Sequence, residues 1–472
     1  MNQKIPVHQI DPAAEQPKAV DLYASREKIY VKEIKGFFQR IRTVSLWLLM
    51  GMYFAFCWIN VNGQQIVYFD LPGRQFHLFG ETFFPQDFML LSWLLIICAF
   101  GLFFVTALFG RVWCGYTCPQ TVWTFIFMWI EERVEGSRNQ RMKLDKGPTD
   151  ANKIARKGIK HSLWLLVAFA TGLTFVGYFY PIRELIPDFF ALDAGSWAYF
   201  WIAFFTLATY LNAGWLREQV CLYMCPYARF QSVMFDRNTM IVSYNPNRGE
   251  PRGSRKRGID PRQAELGDCI DCGMCVQVCP TGIDIRDGLQ YECIGCALCI
   301  DACDSIMEKM DYPKGLISYT SENALEGKPS KYLRPRTLIY AALLLGMISA
   351  VVYTITHRHP VELDVLRDRG ALYNETADGD IQNNYVLKVI NKADATREFQ
   401  VEVRGLTGAE LKTGVPVLLY PFEVMDVPIR VEVPPENIQG RNTEIQFVIT
   451  AKEDSTIQAS KESRFLAPEP KH

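Results

Sequence analysis

The spacing of the cysteines is the feature of this sequence that points most directly to chemistry. Eight of the fourteen cysteines form two successive quartets with the spacing C-x2-C-x2-C-x3-C. The quartets are Cys269, Cys272, Cys275 and Cys279, followed by Cys293, Cys296, Cys299 and Cys303. Bacterial two-cluster ferredoxins use this spacing, and Pro280 follows the first quartet as it usually does in them. The sequence therefore predicts two 4Fe-4S clusters and a role in electron transfer.

Each quartet is expected to share its ligands with the other. Three cysteines of one quartet bind one cluster, and the fourth binds the other cluster. We expect cluster 1 to be held by Cys269, Cys272, Cys275 and Cys303, and cluster 2 by Cys293, Cys296, Cys299 and Cys279. Zinc knuckles and disulfides are the alternatives, but zinc sites have longer spacers, often with histidine, and no histidine is near. Asp304 stands where a plain ferredoxin would have proline.

Two further cysteine pairs share the pattern C-x3-C-P, which indicates an internal duplication. They are Cys114 with Cys118, before Pro119, and Cys221 with Cys225, before Pro226. Proline disfavours helical conformation in the residue before it and is tolerated at the first position of a helix. We therefore expect each pair to lie in the turn that opens a short helix at a membrane surface, over residues 119 to 135 and 226 to 236.

These four cysteines are candidate metal ligands. A thiol at a helix N-terminus ionises more readily, and thiolate sulfur is a preferred ligand of Cu(I). A copper site or a redox-exchange site is one interpretation. The alternative is that these cysteines pack as small apolar residues, as we expect for Cys57 and Cys98.

Other metal and cofactor ligands are scarce. Met128 and Met224 lie near the pairs and could offer thioether sulfur, although a methionine in an apolar stretch more often serves packing. The chain has six histidines, and no apolar stretch carries the pair that a bis-histidine haem needs. The C-x2-C-H motif of covalent haem is also absent from the sequence. We expect no haem.

Five apolar stretches are long enough to cross a bilayer, which needs about 20 residues. They are Thr43 to Val61, Phe88 to Gly110, Leu163 to Tyr180, Trp197 to Ala213, and Leu338 to Thr356. The sequence thus predicts a membrane protein with a bundle of five transmembrane helices.

The basic residues predict the orientation of this bundle. Lysines and arginines are concentrated before the first and third stretches, whereas the loops at residues 62 to 87 and 181 to 196 hold one arginine each, Arg74 and Arg183. Cytoplasmic loops are richer in basic residues, so the N-terminus and the clusters are expected in the cytoplasm and the C-terminal region outside. The basic residues are Arg26, Lys28, Lys32, Lys35, Arg40 and Arg42 before the first stretch, and Arg133, Arg138, Arg141, Lys143, Lys146, Lys153, Arg156, Lys157 and Lys160 before the third.

The C-terminal region is predicted to be a separate β-sandwich of about 100 residues. Apolar and polar residues alternate there in short runs bounded by Asn, Gly and Pro, and the region contains neither cysteine nor tryptophan. We interpret it as an Ig-like docking or structural module. The runs are Tyr385 to Ile390, Phe399 to Val403, Val415 to Leu419, Val427 to Val433, and Glu444 to Thr450.

The fold class predicted for the 472 residues is therefore a multidomain membrane protein. An α-helical transmembrane bundle carries an inserted two-cluster ferredoxin-like domain and a C-terminal all-β Ig-like sandwich. The formal net charge of −1 argues against nucleic acid as a partner. The expected parts are a cytoplasmic N-terminal segment (1–40), a four-helix membrane domain (41–240), a ferredoxin-like domain (241–335), a fifth transmembrane helix (336–357) and a periplasmic sandwich (358–472).

In these motifs the chain resembles the cytochrome c oxidase accessory protein family, which includes FixG and RdxA. The resemblance covers nearly the whole chain. It rests on the ferredoxin quartets, the two C-x3-C-P pairs, the linker Asn247-Arg-Gly-Glu-Pro-Arg-Gly, Cys303-Asp304, Pro313-Lys-Gly-Leu-Ile, the final apolar stretch and the Ig-like tail. Asp304, which departs from plain ferredoxins, fits this family.

The resemblance implies a role in assembling the cbb-type haem-copper oxidase in a bacterial inner membrane, through reduction of Cu(II) to Cu(I). It implies an electron donor, and oxidase subunits, copper chaperones or copper transporters as partners. Two other functions remain open: a quinol-oxidising electron-transfer subunit, and a redox-sensing assembly scaffold that is not an enzyme. The fifth apolar stretch and the sandwich argue against the first of these, and turnover with copper would argue against the second.

Overall fold

The computed structural model describes residues 28–61, 63–257, 265–368, 370–413, 416–438 and 440–469. Residues 1–27 of the predicted N-terminal segment, with Arg26, and Val415 of a predicted strand lie outside these ranges. The chain forms two compact units, each assembled from separate stretches. The first unit is Met1–Met50, Val105–Ala170 and Phe205–Tyr332, and the second is Gly51–Phe104, Thr171–Phe204 and Leu333–His472.

Helices dominate the first three quarters of the chain. They are α1 (Phe37–Ala55), α2 (Phe88–Phe109), α3 (Val112–Tyr116), α4 (Pro119–Glu135), α5 (Arg138–Lys146), α6 (Ala151–Val176), α7 (Ile182–Ala191), α8 (Ser196–Thr209), α9 (Pro226–Met234), α10 (Pro246–Gly249), α11 (Met274–Gln277), α12 (Leu298–Met310), α13 (Glu322–Leu325) and α14 (Pro335–Thr356). Two π-helical segments, Tyr210–Leu216 and Val220–Met224, lie between α8 and α9. Single 3-10 turns occur at Pro85–Asp87, Ile285–Asp287 and Pro435–Asn437.

Three helices of the described residues are long and apolar enough to span a membrane: Pro85–Phe109, Ala151–Val176 and Pro335–Thr356. A fourth is obtained if Ile182–Ala191 and Ser196–Leu216, which meet at 98°, count as one span. The helices are compatible with a membrane protein, but the predicted count of five spans is not confirmed. The first predicted span overlaps α1, which has 19 residues and carries Arg40 and Arg42 within its first two turns.

The second unit ends in a sandwich of two antiparallel sheets. The strands are β8 (Val361–Arg367), β9 (Asn374–Glu375), β10 (Ile381–Asn391), β11 (Arg397–Arg404), β12 (Glu410–Thr413), β13 (Val417–Leu419), β14 (Val424–Val433), β15 (Asn442–Ala451) and β16 (Gln458–Leu466). One sheet has the order β12-β14-β10-β8, with β9 also paired to β10, and the other has the order β13-β11-β15-β16.

The alternation seen in the sequence builds the core of this sandwich. Every second residue of β10 is buried from Ile381 to Val389, because successive side chains of a strand point to opposite faces. The Tyr385 ring lies 4.9 Å from the ring of Phe447 in the other sheet, and its hydroxyl donates to the Arg464 carbonyl at 2.9 Å. The predicted Ig-like sandwich is confirmed.

Short strands complete the remaining sheets. In the second unit, β1 (Asn60–Val61) pairs with β2 (Gln64–Gln65), and β3 (Val67–Asp70), β4 (Gln75–Leu78) and β5 (Glu81–Phe83) form a meander. In the first unit, β6 (Ile241–Tyr244) pairs antiparallel with β7 (Ile317–Thr320). This pair brackets the region that contains both cysteine quartets, and Val242, Tyr244 and Ile317 share its hydrophobic core.

Candidate electron-transfer site

The eight ferredoxin cysteines line two cavities of the first unit. Cavity 1 is lined by Cys269, Cys272, Cys275 and Cys303. Cavity 2 is lined by Cys279, Cys293, Cys296 and Cys299, and Cys275 lines it as well. The fourth cysteine of each quartet thus lies at the cavity of the other quartet. Two cavities, each lined by all four thiols of one predicted ligand set, fit two iron-sulfur clusters.

The two quartets are positioned by the same local structure. Each has its third cysteine in the first turn of a helix, Cys275 in α11 and Cys299 in α12. The residue before each helix has a left-handed backbone, Gly273 with φ 63° and Ala297 with φ 60°. This reversal wraps the preceding loop around the cavity. The fourth cysteine then lies beyond the first turn, where it reaches the other cavity.

Burial favours the neutral form of these thiols. It raises the pKa of Cys275 to about 11 and the pKa of Cys293 and Cys303 to about 12. Iron is bound by thiolate, so cluster binding must displace protons that the unloaded protein holds at neutral pH.

Asp304 and the linker arginine Arg248 brace the loops around cavity 1. The Asp304 carboxylate accepts a hydrogen bond from the Gly315 amide at 2.9 Å, which ties α12 to the following loop. Arg248 donates to Asp268 at 2.6 Å and to the carbonyls of Lys314, at 2.9 Å, and Pro313. Asp304 thus provides a hydrogen bond that proline could not provide.

Only the second cysteine of each C-x3-C-P pair lies in the turn before the proline, where both cysteines were expected. Cys118 and Cys225 have extended backbone, with ψ 129° and ψ 110°, and Pro119 and Pro226 open α4 and α9. Helix α4 has the predicted bounds, whereas α9 ends at Met234, two residues before its predicted end. Cys114 lies in α3, and Cys221 lies in the π-helical segment Val220–Met224.

The two pairs come together in one place, which we call the four-cysteine group (Cys114, Cys118, Cys221 and Cys225). The Cys114 thiol donates to the Gln231 side-chain oxygen on α9 at 3.4 Å, and Arg111 Nη2 donates to the Ala228 carbonyl at 2.9 Å. From α4, Gln120 donates to the carbonyls of Asn212, at 2.9 Å, and Arg217, at 3.1 Å, in the segment that precedes the second pair. The four thiols also interact electrostatically with one another.

The expectation that these thiols ionise readily is wrong for Cys114, Cys118 and Cys221. Burial raises the pKa of Cys114 and Cys221 to about 12, and it also raises the pKa of Cys118. Desolvation of the charged form outweighs both the helix N-terminus and the nearby Arg111. Copper, like iron, would have to displace protons from these sulfur atoms.

The geometry also limits how copper could bind. Within the described ranges, no three His, Cys, Asp or Glu side chains are arranged to hold a single metal ion. Of the candidate thioether ligands, Met224 is 61% exposed and Met128 is half-buried on α4.

Cavity 2 lies directly against the segment that carries the first pair. An ideal Cβ on Gly115 would be 2.9 Å from Cys296 Cα and 3.0 Å from the Gly295 carbonyl oxygen. The Tyr116 hydroxyl donates to the Cys296 carbonyl at 3.3 Å, and Arg111 Nη1 donates to the Cys293 carbonyl at 3.0 Å. Cys114 itself packs against the hydrophobic cluster that contains Cys296. The four-cysteine group and cavity 2 thus share one wall.

We predict that Gly115→Ala weakens this wall without removing any ligand. The added methyl would meet backbone, which cannot rotate away, so we expect about 1–3 kcal/mol of destabilisation and less iron bound at cavity 2. Gly158→Ala is the control, because a Cβ at that helical position meets nothing within 4 Å. Iron analysis and thermal unfolding of both variants test this, and equal behaviour of the two would contradict the close contact.

Helix α1 is fixed to the ferredoxin region by a carboxylate that no motif of the sequence indicates. The amides of Phe38 and Gln39 donate to the Asp301 carboxylate at 3.2 Å and 2.8 Å. An acidic group is favourable at a helix N-terminus because it satisfies free amides and complements the dipole. Gly36 permits the approach, since a Cβ there would lie 2.1 Å from Asp301 Cγ.

This contact places Arg42, on the second turn of α1, beside cavity 2. Arg42 is 1% exposed, and its guanidinium interacts electrostatically with the thiols of Cys296 and Cys279. In the sequence, Arg42 is only one of several basic residues before an apolar stretch. No local pattern distinguishes it from the exposed residues of that set.

Family models match three parts of the chain. Residues 216–322 match a 4Fe-4S dicluster domain, and residues 91–132, which include Cys114 and Cys118, match a 4Fe-4S binding domain. Residues 351–468 match the IG-like fold at the C-terminal of FixG. The predicted 4Fe-4S clusters are confirmed at this level, while the assignment of individual cysteines to each cluster stays a prediction.

Three curated relatives match most of the chain. Nitrogen fixation protein FixG of Rhizobium meliloti is 36% identical over 83% of this chain and 82% of its own length. Protein RdxB of Cereibacter sphaeroides is 40% identical over 86% of this chain and 87% of its own, and protein RdxA of the same organism is 39% identical over 82% and 84%. The chain belongs to the FixG/RdxA family of iron-sulfur proteins.

Proposed function

We propose that the chain is a membrane-bound electron-transfer protein that reduces Cu(II) to Cu(I) and delivers the product for assembly of a cbb-type haem-copper oxidase. The observation that carries this proposal is the wall shared by cavity 2 and the four-cysteine group. A thiol-lined cavity suited to an iron-sulfur cluster lies directly beside thiols suited to a soft metal ion. Electrons and copper would thus be brought to neighbouring positions.

The residues at both cavities fit their clusters. We propose that cluster 1 is held by Cys269, Cys272, Cys275 and Cys303. Cluster 2 is held by Cys279, Cys293, Cys296 and Cys299. When bound, each cluster would supply one-electron redox chemistry. Cys272 at cavity 1 is exposed, whereas none of the four cysteines proposed for cluster 2 is exposed. Cavity 1 is therefore the side that a soluble electron donor can approach.

Copper is the substrate of the proposed reaction. Cu(II) prefers nitrogen and oxygen ligands, whereas Cu(I) prefers thiolate and thioether. One electron converts one Cu(II) to one Cu(I), and the product is the form that Cys114, Cys118, Cys221 and Cys225 would hold best. Retention of the product by these thiols would favour the reduction. The protons displaced from the neutral thiols are released to solvent.

We also propose a multi-pass topology in a bacterial inner membrane, with the clusters in the cytoplasm and the sandwich in the periplasm. Basic residues near α1, α4, α5 and α6 support this orientation. A reporter fused after residue 150 or 260 should be active only in the cytoplasm, and one fused after residue 400 only outside. A cytoplasmic signal from the fusion at residue 400 would contradict the proposed orientation.

The proposed partners follow from this topology. An electron donor would act at the cytoplasmic face, and oxidase subunits, copper chaperones or copper transporters would receive or supply the metal. The assembly role is tested by measuring copper in the cbb-type oxidase purified from cells that lack this protein. We expect less copper there, restored by the wild-type gene. An oxidase with full copper in the deletion strain would overturn the assembly role.

A further inference from the structure

Arg42 is a buried cation that forms no ion pair with a carboxylate of the described residues. It is 1% exposed, and within the described ranges its Nε and Nη1 have no hydrogen-bond partner. Its guanidinium lies 5.1 Å from the centroid of the Phe125 ring. Burying an unpaired charge costs several kcal/mol, so a buried arginine generally has an anion beside it. The groups that Arg42 faces electrostatically are the thiols of Cys296 and Cys279 and the Tyr116 hydroxyl.

Cavity 1 also has an arginine, but that arginine is neutralised. Arg286 lines cavity 1, and its Nη2 lies 2.6 Å from Asp284 Oδ2. Its Nη1 pairs with Asp271 as well. The charge of Arg286 is therefore already compensated by two carboxylates before any cluster is considered.

A second buried arginine near cavity 2, Arg111, resembles Arg42 in having no carboxylate partner among the described residues. The guanidinium of Arg111 is buried and donates to carbonyl oxygens of Tyr291, Cys293 and Ala228. In the described part of the chain, neither Arg111 nor Arg42 forms an ion pair with a carboxylate. The positive charge near cavity 2 is therefore not compensated by a described carboxylate, whereas the charge of Arg286 at cavity 1 is compensated.

We propose that Arg42 is the counter-charge of the cluster held at cavity 2 and raises its reduction potential. This inference rests on the proposed function. A cluster bound by four thiolates is anionic, and one added electron increases its negative charge without breaking or forming a bond. A fixed cation in a site of low dielectric stabilises the reduced form more than the oxidised form.

Burial lowers the reduction potential of a cluster, so it opposes the effect proposed for Arg42. Removing the site from water disfavours the more highly charged reduced form. No cysteine proposed to hold cluster 2 is exposed, whereas Cys272 at cavity 1 is exposed. Without a counter-charge, an electron would be retained near the exposed side. Arg42 thus favours its transfer toward the four-cysteine group. The Asp301 contact with the start of α1 holds Arg42 in this position.

The test is a redox titration of the purified, cluster-loaded protein, followed by electron paramagnetic resonance. Cys272→Ser and Cys293→Ser identify which transition belongs to which cluster. In Arg42→Met we expect the reduction equilibrium at cavity 2 to become at least tenfold less favourable, about 59 mV for one electron. Cluster 1 in the same molecule should be unchanged. Arg42→Lys, which keeps the charge, should retain most of the wild-type potential.

Arg141→Met is the matched control, because Arg141 is also buried but lies 3.8 Å from the carboxylate of Glu131, whereas Arg42 has no carboxylate partner among the described residues. It should leave both potentials unchanged. Should Arg42→Met lose iron, Arg42→Gln replaces it with the same expectation. Loss of cluster 2 in both neutral variants but not in Arg42→Lys would support a counter-charge, whereas equal loss in all three would overturn it.

An unchanged potential at cavity 2 in an iron-loaded neutral variant would also overturn the role of Arg42. The titration needs no copper, so its outcome is separate from that of the proposed function. If the Arg42 variants change the potential at cavity 2 but the wild-type protein does not reduce copper, the role of Arg42 stands. The proposed cupric reductase activity is then refuted.

Discussion

Cys296→Ser is expected to remove one ligand from cluster 2, to lower the iron content by about half and to abolish electron transfer to copper. Cys272→Ser should have the same effect on iron through cluster 1, because each variant leaves the other set of four thiols complete. If electrons pass through both sites in series, either change stops turnover. Iron and sulfide analysis with cluster spectra of the purified variants checks this expectation.

The control for the loss of a thiol is Cys98→Ser. Cys98 lies exposed on the apolar helix α2, outside both cavities and the four-cysteine group. That variant should keep full iron and activity. Wild-type iron content in both Cys272→Ser and Cys296→Ser would contradict the ferredoxin ligand assignment.

Replacement of Cys114 and Cys118 together by serine is expected to leave the iron content near wild type while strongly reducing Cu(I) retention. The ferredoxin cavities use eight other cysteines, so neither cluster loses a ligand. Serine is nearly isosteric with cysteine but offers a hard oxygen, which is a poor ligand for Cu(I). A packing role would survive the change at a cost of about 1 kcal/mol. Copper binding is measured anaerobically on the cluster-loaded protein.

Cys57→Ser provides the matched control for packing, because Cys57 is fully buried and lies outside the four-cysteine group. It should lose stability but keep copper binding. The second pair, Cys221 and Cys225, should behave like the first. Normal copper retention in both double variants would reduce these pairs to structural cysteines and would favour the scaffold function. A marked loss of iron from either would instead show that the pairs hold an iron-sulfur centre.

The parts of the site that could be predicted from the sequence are those set by local rules. Proline determines the starts of α4 and α9, because its ring excludes helical backbone in the residue before it. Alternation of apolar residues predicts β10 and the other long strands of the sandwich. These features depend only on neighbouring residues.

The parts that the sequence could not predict depend on distant contacts. Asp301 caps a helix more than 260 residues earlier in the chain, and Gly115 is required only because Cys296 lies against it. The neutral state of the thiol of Cys114 likewise follows from burial by other segments, which outweighs the local effect of a helix terminus. The number of spans also depends on more than apolar length, since length alone does not reveal the bend between α7 and α8.

Rapid mixing of the reduced, cluster-loaded protein with Cu(II), under anaerobic conditions, tests the central claim most directly. Cu(I) formation is followed with a Cu(I)-specific chelator, and cluster oxidation is followed by absorbance in the same sample. We predict that both proceed at the same rate and with one Cu(I) formed for each electron lost, and that Cys296→Ser prevents the reaction. Clusters that stay reduced in the presence of Cu(II), or Cu(I) that forms equally well in Cys296→Ser, would contradict electron transfer from the clusters to copper.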